Sequence, residues 1–456
     1  MKGDFSRITY NESKNYALVL MQQGRVQLDA DWNEQALLQL FRLQMLAADL
    51  IGPYGGSGDS FKIEKISGNP PDFQIGGGHY YVDGILCENN SGDRGNVPVT
   101  YRTQPYNPSL VTLDATKRYL VYLHVWLRHI TAVEDGYIRE VALKGPDTAA
   151  RIQIVWQVKV TDKVLNSDGM DDDIPPDITK DKVYNKWPEW VKKWRPDQRG
   201  KLKAKGKEDP GEEPSLCTIS PQARYRGAEN QLYRVEIHRS GEASKDNSTT
   251  TAAATFKWSR DNGSVVFPIV EFDGAKTVTL AHLGRDSSFS LKPGDWVEIV
   301  DDVSELSGEV TPKPLLKVAS IDRETMSVVL SDKPSIDKPE LIKRHTLLRR
   351  WDHQAELSEG ILVVESDKDW ITLEDGVQIQ FTPSNAAGAK NTYRSGDWWW
   401  IPARTETGDV EWPEDGPDKP KSVEAYDAGH HFAPLAILKP GSDPTDLRRV
   451  IEPLAK

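Results

Sequence analysis

Cysteine is nearly missing from this sequence. Cys87 and Cys217 are the only two in 456 residues. Two thiols cannot build a disulfide framework, so nothing in the chain requires an oxidising compartment. Basic charge is in deficit: 57 Lys and Arg stand against 69 Asp and Glu, a formal charge of −12. A dedicated nucleic-acid binder would show the opposite balance, so there is no strong nucleic-acid signal. No apolar run approaches the roughly 18–20 residues of a membrane span. The opening, MKGDFSRITYNESK, has no apolar core of a secretory signal. Cytoplasmic synthesis without a signal peptide is therefore the expectation. Phosphate loops of the G-x-x-x-x-G-K-[ST] type are missing. GGSGD near Ser57 lacks the final glycine of a nucleophile elbow. Neither cysteine neighbours a histidine in sequence, which excludes the local thiol-enzyme signatures.

Tryptophan is abundant, at 14 residues, and 38% of the chain is hydrophobic, which excludes a disordered polymer. The length allows about two to four domains. One helix signal stands out. From Asp29 to Ile51, Leu37, Leu40, Phe41, Ala48 and Ile51 keep near-helical spacing, and Gly52-Pro53 ends the run. Asp29 or Asp31 can cap its start. Met45, Leu46 and Leu50 are apolar too, so more than one face has something to cover.

Most of the remainder reads as strand. The sequence predicts mainly β structure: several small antiparallel barrel or sandwich units with one prominent N-terminal α-helix. Phe73–Asn90 suggests two strands around the turn dipeptide Asp83-Gly84. Tyr119–Ile130 is apolar on both faces. Arg151–Val160 alternates as a half-buried strand would. Further strands are expected at Leu232–Arg239, Thr255–Ser259 and Val265–Val270. Residues 162–215 open acidic and turn basic, with eight Lys or Arg from Lys192 to Lys207, and read as an insertion or mobile linker. Trp187, Trp190 and Trp194 would let its middle dock on a partner. The phrases LKPGDWVEIV and YRSGDWWWIP share Gly-Asp-Trp, a weak hint of internal duplication. The expected units are a docking segment and helix at 1–60, a β-rich domain at 61–275 carrying the insertion, a small β-barrel at 276–340 and a C-terminal β unit at 341–456.

Metal and catalytic candidates are few. Asp29-x-Asp31-x-Asn33 opens like a calcium loop, but Glu34 and Leu40 stand where glycine and glutamate belong. Asp171-Asp172-Asp173 is an acidic cluster in a loop-like stretch. His430-His431 would point to opposite faces of a strand and cannot chelate one ion. The abundant carboxylates single out no glycosidase pair. No cofactor, metal site or catalytic residue is expected. Trp398, Trp399 and Trp400 send alternate rings to opposite sheet faces, which suits either two thin cores or an exposed contact for protein or sugar.

The opening MKGDFSRITY followed by MQQGRVQLDADWNEQ resembles an uncharacterised bacterial family. Its members are encoded in gene clusters for phage-tail-like particles, the extracellular contractile injection systems, and in some prophages; similar N-termini also precede right-handed β-helix proteins. HYYVDGILCENN, LYRVEIHRSG, TFKWSRDNGSVVFPI and HHFAPLAIL fit the same resemblance. It implies a structural, non-enzymatic component associated with a baseplate or tail fibre and released with the particle. Its partners would be other particle subunits, in a homo-oligomer such as a trimer or ring. Met21, Gln22, Gln23, Trp32, Leu37 and Phe41 are the expected docking residues, and Trp398, Trp399 and Trp400 the expected contacts at an exposed end. A carbohydrate-binding or carbohydrate-cleaving surface protein is the alternative, with a surface glycan as partner.

Overall fold

A computed structural model describes residues 1–68, 70–90, 98–165, 171–195, 200–207, 224–244, 253–308, 312–354, 358–384 and 391–452. The structure is mainly β, at 37% strand and 14% helix, with several small antiparallel sheets and one long N-terminal helix. That helix, α1, spans Asp29–Ile51. Asp31 accepts the free Leu28 N–H at 3.3 Å, and Gly52, at φ +87°, closes the far end by donating to Ala48 O at 2.8 Å. Asp29 is used differently from the capping expectation: its carboxylate accepts from the backbone and hydroxyl of Ser6.

Asp83 and Gly84 take φ of 47° and 80°, the paired positive values a two-residue hairpin needs, and join Gly78–Val82 to Ile85–Asn89. With Tyr54–Ser57 and Val450–Ile451 these strands form a four-stranded sheet. A second four-stranded sheet orders Thr445–Asp446, His431–Leu438, Tyr119–Ile130 and Arg151–Thr161. The two sheets share one core, where Tyr80, Val82, Leu123, Val125, Trp156 and Val158 are buried. Strand Arg151–Thr161 is more than half-buried. Val155 and Gln157 on its polar-looking face are also covered, by Trp126, Tyr106 and the short helix at Asp302–Leu306.

The segment expected to be an insertion or linker is partly regular structure. Residues Lys180–Trp194 form a helix, α2, capped by Thr179, with Val183, Trp187 and Trp190 buried in the first core. Trp194 stacks on Tyr122 at 4.7 Å. Strand Lys201–Gly206 then pairs with Val377–Thr382, burying Leu202 and Ala204. Lys201, Lys203 and Lys205 alternate with the core residues, so this part of the basic run is one face of a strand. Of the basic residues of that run outside the helix and strand, Arg195 pairs with Asp427 and the Lys207 N–H donates to Gly376 O, whereas Arg199 lies outside the described residues, as does Cys217.

A sandwich follows. Lys201–Gly206 and Val377–Thr382 belong to a sheet facing a five-stranded one in the order Ile361–Leu362, Thr255–Ser259, Gln231–Arg239, Trp398–Arg404, Asp409–Val410. The small barrel is larger than the 276–340 span. Its six strands are Val266–Phe272, Thr277–Leu280, Ser327–Leu330, Leu316–Asp322, Trp296–Val300 and Leu347–Trp351. The ring closes only because the first and last strands pair, Phe267 opposite Leu348.

The two Gly-Asp-Trp phrases are not a duplicated unit. Each is a turn with a positive-φ glycine in third place, Gly294 at 95° and Gly396 at 86°. In each, the aspartate N–H closes the turn, to Lys292 O and to Arg394 O. One turn feeds the barrel and the other the sandwich, so the likeness is turn chemistry alone.

Candidate functional site

The first ten residues fold back into the protein. Lys2 Nζ lies 3.3 Å from Glu236, Asn262 donates to Gly3 O at 2.9 Å, and Thr9 bonds Glu34. Beyond Tyr10 the chain leaves the body as an arm. Residues 11–28 are exposed except for half-buried Val19, held to α1 by Gln35 Oε1 accepting from Val19 N–H and by Arg42 donating to Tyr16 O. Tyr16, Leu18 and Leu20 alternate along it. Met21, Gln22 and Gln23 run into a turn at Gly24, and Met21 is 53% exposed.

Helix α1 has two apolar faces. Ala30 and Leu38 are buried against the body, and half-buried Leu37, Phe41 and Ala48 face the same way, with Phe41 against Tyr10 at 6.0 Å. Leu37 and Phe41 therefore anchor α1 to its own chain rather than forming an outer surface. The opposite side carries Trp32, Ala36, Leu43 and Leu50, within about 40° of one another around the axis at 100° per residue. Trp32 is 69% exposed, Leu43 65% and Leu50 78%. The turn Asp83-Gly84 sits directly beneath α1: a Cβ on Gly84 would fall 2.0 Å from the Gln44 carbonyl oxygen.

The three consecutive tryptophans are divided as strand alternation requires, but they do not form an exposed end. Trp399 is 1% exposed in the sandwich core, edge-on to Phe381 and donating to Val423 O at 2.9 Å. Trp398 and Trp400 face the other way, toward the barrel, where the sheet is again covered. Trp398 is buried under the Arg234 guanidinium at 4.3 Å, and Trp400 packs against Tyr426 at 4.8 Å.

That barrel-facing side is a buried charge network. Arg234, Glu236 and Lys257 are each 1% exposed. Arg234 Nε is 2.6 Å from Glu236, and Lys257 Nζ is 2.7 Å from Glu298 on the barrel and 3.5 Å from Glu236. Burial disfavours both carboxylates, yet Lys2, Arg234 and Lys257 outweigh it and hold Glu236 well below the usual range. Glu298 is held at about 2 against its burial by Lys257 and Lys2. A cavity of about 430 Å³ opens beside the network, walled by Trp126, Trp398, Trp400, Arg128 and Arg349 and, toward α1, by Leu37 and Leu40.

The adjacent histidines part company. His430 Nδ1 lies 2.8 Å from His124 Nε2 in an aromatic box with Trp126, whereas His431 bonds Asp83 at 2.8 Å. Burial is the main reason His430 is depressed to about 3. Asp171–Asp173 forms a short strand against Lys163–Leu165, and Asp173 pairs with Lys163. Among the described residues, no group of three His, Cys, Asp or Glu is placed to hold a metal ion, and no helix is long and apolar enough to cross a membrane.

A family model matches residues 1–174 and 197–441 of this chain. The protein belongs to DUF6519, a family of unknown function. No curated protein matches the sequence. The stretch of a DUF6519 chain that the model leaves unmatched here, 175–196, contains the whole of α2. This helix is seated by its own tryptophans. Sequence reasoning missed the buried cluster on Gln231–Arg239. The alternation of Arg234, Glu236 and His238 with apolar residues was its signal, but that pattern equally describes a strand with one solvated face.

Proposed function

We propose that this protein is a non-enzymatic structural subunit that docks onto further copies of itself through its arm and the outer face of α1. The observation that carries this reading is the second apolar stripe of α1, exposed over the length of a 23-residue helix. Ala36, Leu40, Leu43, Ala47 and Leu50 follow 4-3-4-3 spacing, the pattern with which like helices pack together. A stripe of this kind would be an aggregation hazard on a lone monomer and is suited to an interface. Closed cyclic symmetry, a trimer or ring, satisfies every copy equally. The setting we propose is a phage-tail-like contractile injection particle, at the baseplate or fibre, in keeping with the resemblance of the opening motif.

The test is native mass spectrometry and sedimentation velocity of the full chain beside Leu43→Glu/Leu50→Glu. A discrete oligomer that becomes a folded monomer in the double variant supports self-docking. A wild type that stays monomeric at high concentration overturns it. Mass spectrometry of purified particles tests the setting: absence of the chain from sheath, tube and baseplate fractions alike removes it.

A further inference from the structure

We propose that the arm of one copy adds as a strand to the free edge of Arg151–Thr161 in a second copy. This deepens the self-docking reading and rests on it, by naming what the arm grips. Strand Arg151–Thr161 ends its sheet and pairs only with Tyr119–Ile130, in unbroken register from Leu120 opposite Thr161 to Ile130 opposite Arg151. At Val158 the outward backbone groups are both taken by one side chain. Gln104 Oε1 accepts from the Val158 N–H at 2.7 Å, and Gln104 Nε2 donates to the Val158 carbonyl at 2.9 Å. Backbone alternation turns the N–H and C=O of Ile154 and Ile152 the same way. Among the described residues nothing pairs with them on that side. Arg151, Ile152 and residues 147–149 are exposed. Only the Arg151 guanidinium, donating to Ala149 O and Ala150 O, lies along this end, and an incoming strand can displace so exposed a side chain.

The arm has the matching features. Residues 15–22 contain no turn, bend or proline and belong to no sheet. Its own ties to α1 are at Tyr16 O and Val19 N–H, and among the described residues the backbone of Leu18 and Leu20 has no partner. Tyr16, Leu18 and Leu20 alternate as one face of a strand, and Leu20 is 79% exposed. On the edge they would continue the apolar face of Ile152, itself 42% exposed, and Ile154, which packs on the first core. Length agrees: at about 3.3 Å per residue, residues 15–22 and residues 147–154 each span about 26 Å. Charge agrees too. The arm, residues 11–28, carries Lys14 and Arg25 against Glu12, a net +1, whereas the loop beside the edge, residues 131–147, has a net charge of −2. An open edge is a hazard unless something specific covers it. In a closed ring each copy gives one arm and receives one, so every edge is covered.

The experiment is hydrogen–deuterium exchange of the full chain across a concentration series, with native mass spectrometry reporting the oligomer. Two variants accompany the wild type. Leu18→Pro/Leu20→Pro removes two arm N–H groups, and Ile152→Pro removes an outward edge N–H while sparing the ladder to Tyr119–Ile130. In the wild-type oligomer, peptides covering 15–22 and 147–154 should exchange at least about tenfold more slowly than in the monomer. Either variant alone should lose both protections. Mixing the two should restore protection at the arm of the Ile152→Pro copy and at the edge of the arm-variant copy. The arm is exposed, so its variant remains informative should Ile152→Pro disturb folding. An oligomer whose two segments exchange at the monomer rate overturns this proposal but leaves self-docking through α1 in place; a wild type that stays monomeric overturns both. Protection independent of concentration would mean that the arm lies on its own edge. Edge protection that survives in the arm variant would mean another occupant. Each of these also overturns the proposal.

Discussion

Lys257 of the sandwich places its Nζ 2.7 Å from Oε2 of Glu298 on the barrel, with Trp351 Nε1 donating to the same oxygen at 2.9 Å. This contact joins two units that each have their own apolar core, through charge instead of further hydrocarbon. Removing Lys257 leaves the buried Glu298 carboxylate without the cation at its Oε2 and takes one cation from Glu236. Lys257→Met is therefore expected to destabilise the protein by about 3–5 kcal/mol. Lys257→Met/Glu298→Met should recover part of that loss. Urea denaturation of the three proteins checks the order.

Helix α2 should be integral to the fold despite lying outside the matched family framework. Trp187 is 5% exposed and meets Trp190 and Trp194 edge-on. Trp187→Ala should cost about 3–5 kcal/mol, read as a lowered melting temperature. An unchanged melting temperature would mean that α2 is peripheral.

Acid should weaken the protein before it protonates the paired glutamates. Burial depresses His129, His353 and His430 to about 3 and His238 to about 4. Their unfolded value is about 6.5. The stability they contribute is complete above that value and is lost as pH falls through the folded values. Two carboxyls act in the opposite sense: burial raises Asp261 to about 6 and Glu374 to about 7. Their contribution is full at low pH and is lost as pH rises through those values. Between about pH 4.5 and 6 the unfolded chain gains more protons at the four histidines than the folded chain holds at the two carboxyls. Urea midpoints should therefore fall from pH 6.5 to 4.5, and Asp261→Asn should steepen that fall.

Gly84→Ala tests how firmly α1 is held. The new Cβ would meet Gln44 O at 2.0 Å from a backbone at φ +80°, so the hairpin and the helix cannot both keep their places. A loss of about 1–3 kcal/mol is expected. If α1 is the docking element, the oligomer should loosen in parallel.

The neighbouring tryptophans should differ on substitution. Trp399→Phe leaves the part-buried Val423 O without its indole donor, whereas Trp398→Phe removes an N–H that has no acceptor among the described residues. The first should lower the melting temperature more than the second.

Helix α1, the Asp83-Gly84 hairpin and the β character of the chain were legible from residue order, because spacing, turn dipeptides and terminal glycine act over a few neighbours. The reading failed where a pattern has two physical outcomes. Lys201–Gly206 alternates lysine with small or apolar residues, and only pairing with Val377–Thr382 makes it a strand. The barrel extends beyond its expected limits because closure joins strands some eighty residues apart, Val266–Phe272 and Leu347–Trp351. Met21, Gln22 and Gln23 lie exposed on the arm, whereas Leu37 and Phe41, named with them as docking residues, could not be distinguished in the sequence from the outward stripe, since both faces of α1 are apolar.

Local sequence thus settled which segments became helix, turn and strand, through the short-range periodicity of side chains and the few residues that tolerate positive φ. The assembly of the chain settled the rest: Arg234 and Glu236, charged residues of an expected strand, lie under 2% exposed because the barrel and Lys2 close over them. Burial and charge pairing depend on what arrives from distant parts of the chain, and no short stretch of residues encodes that.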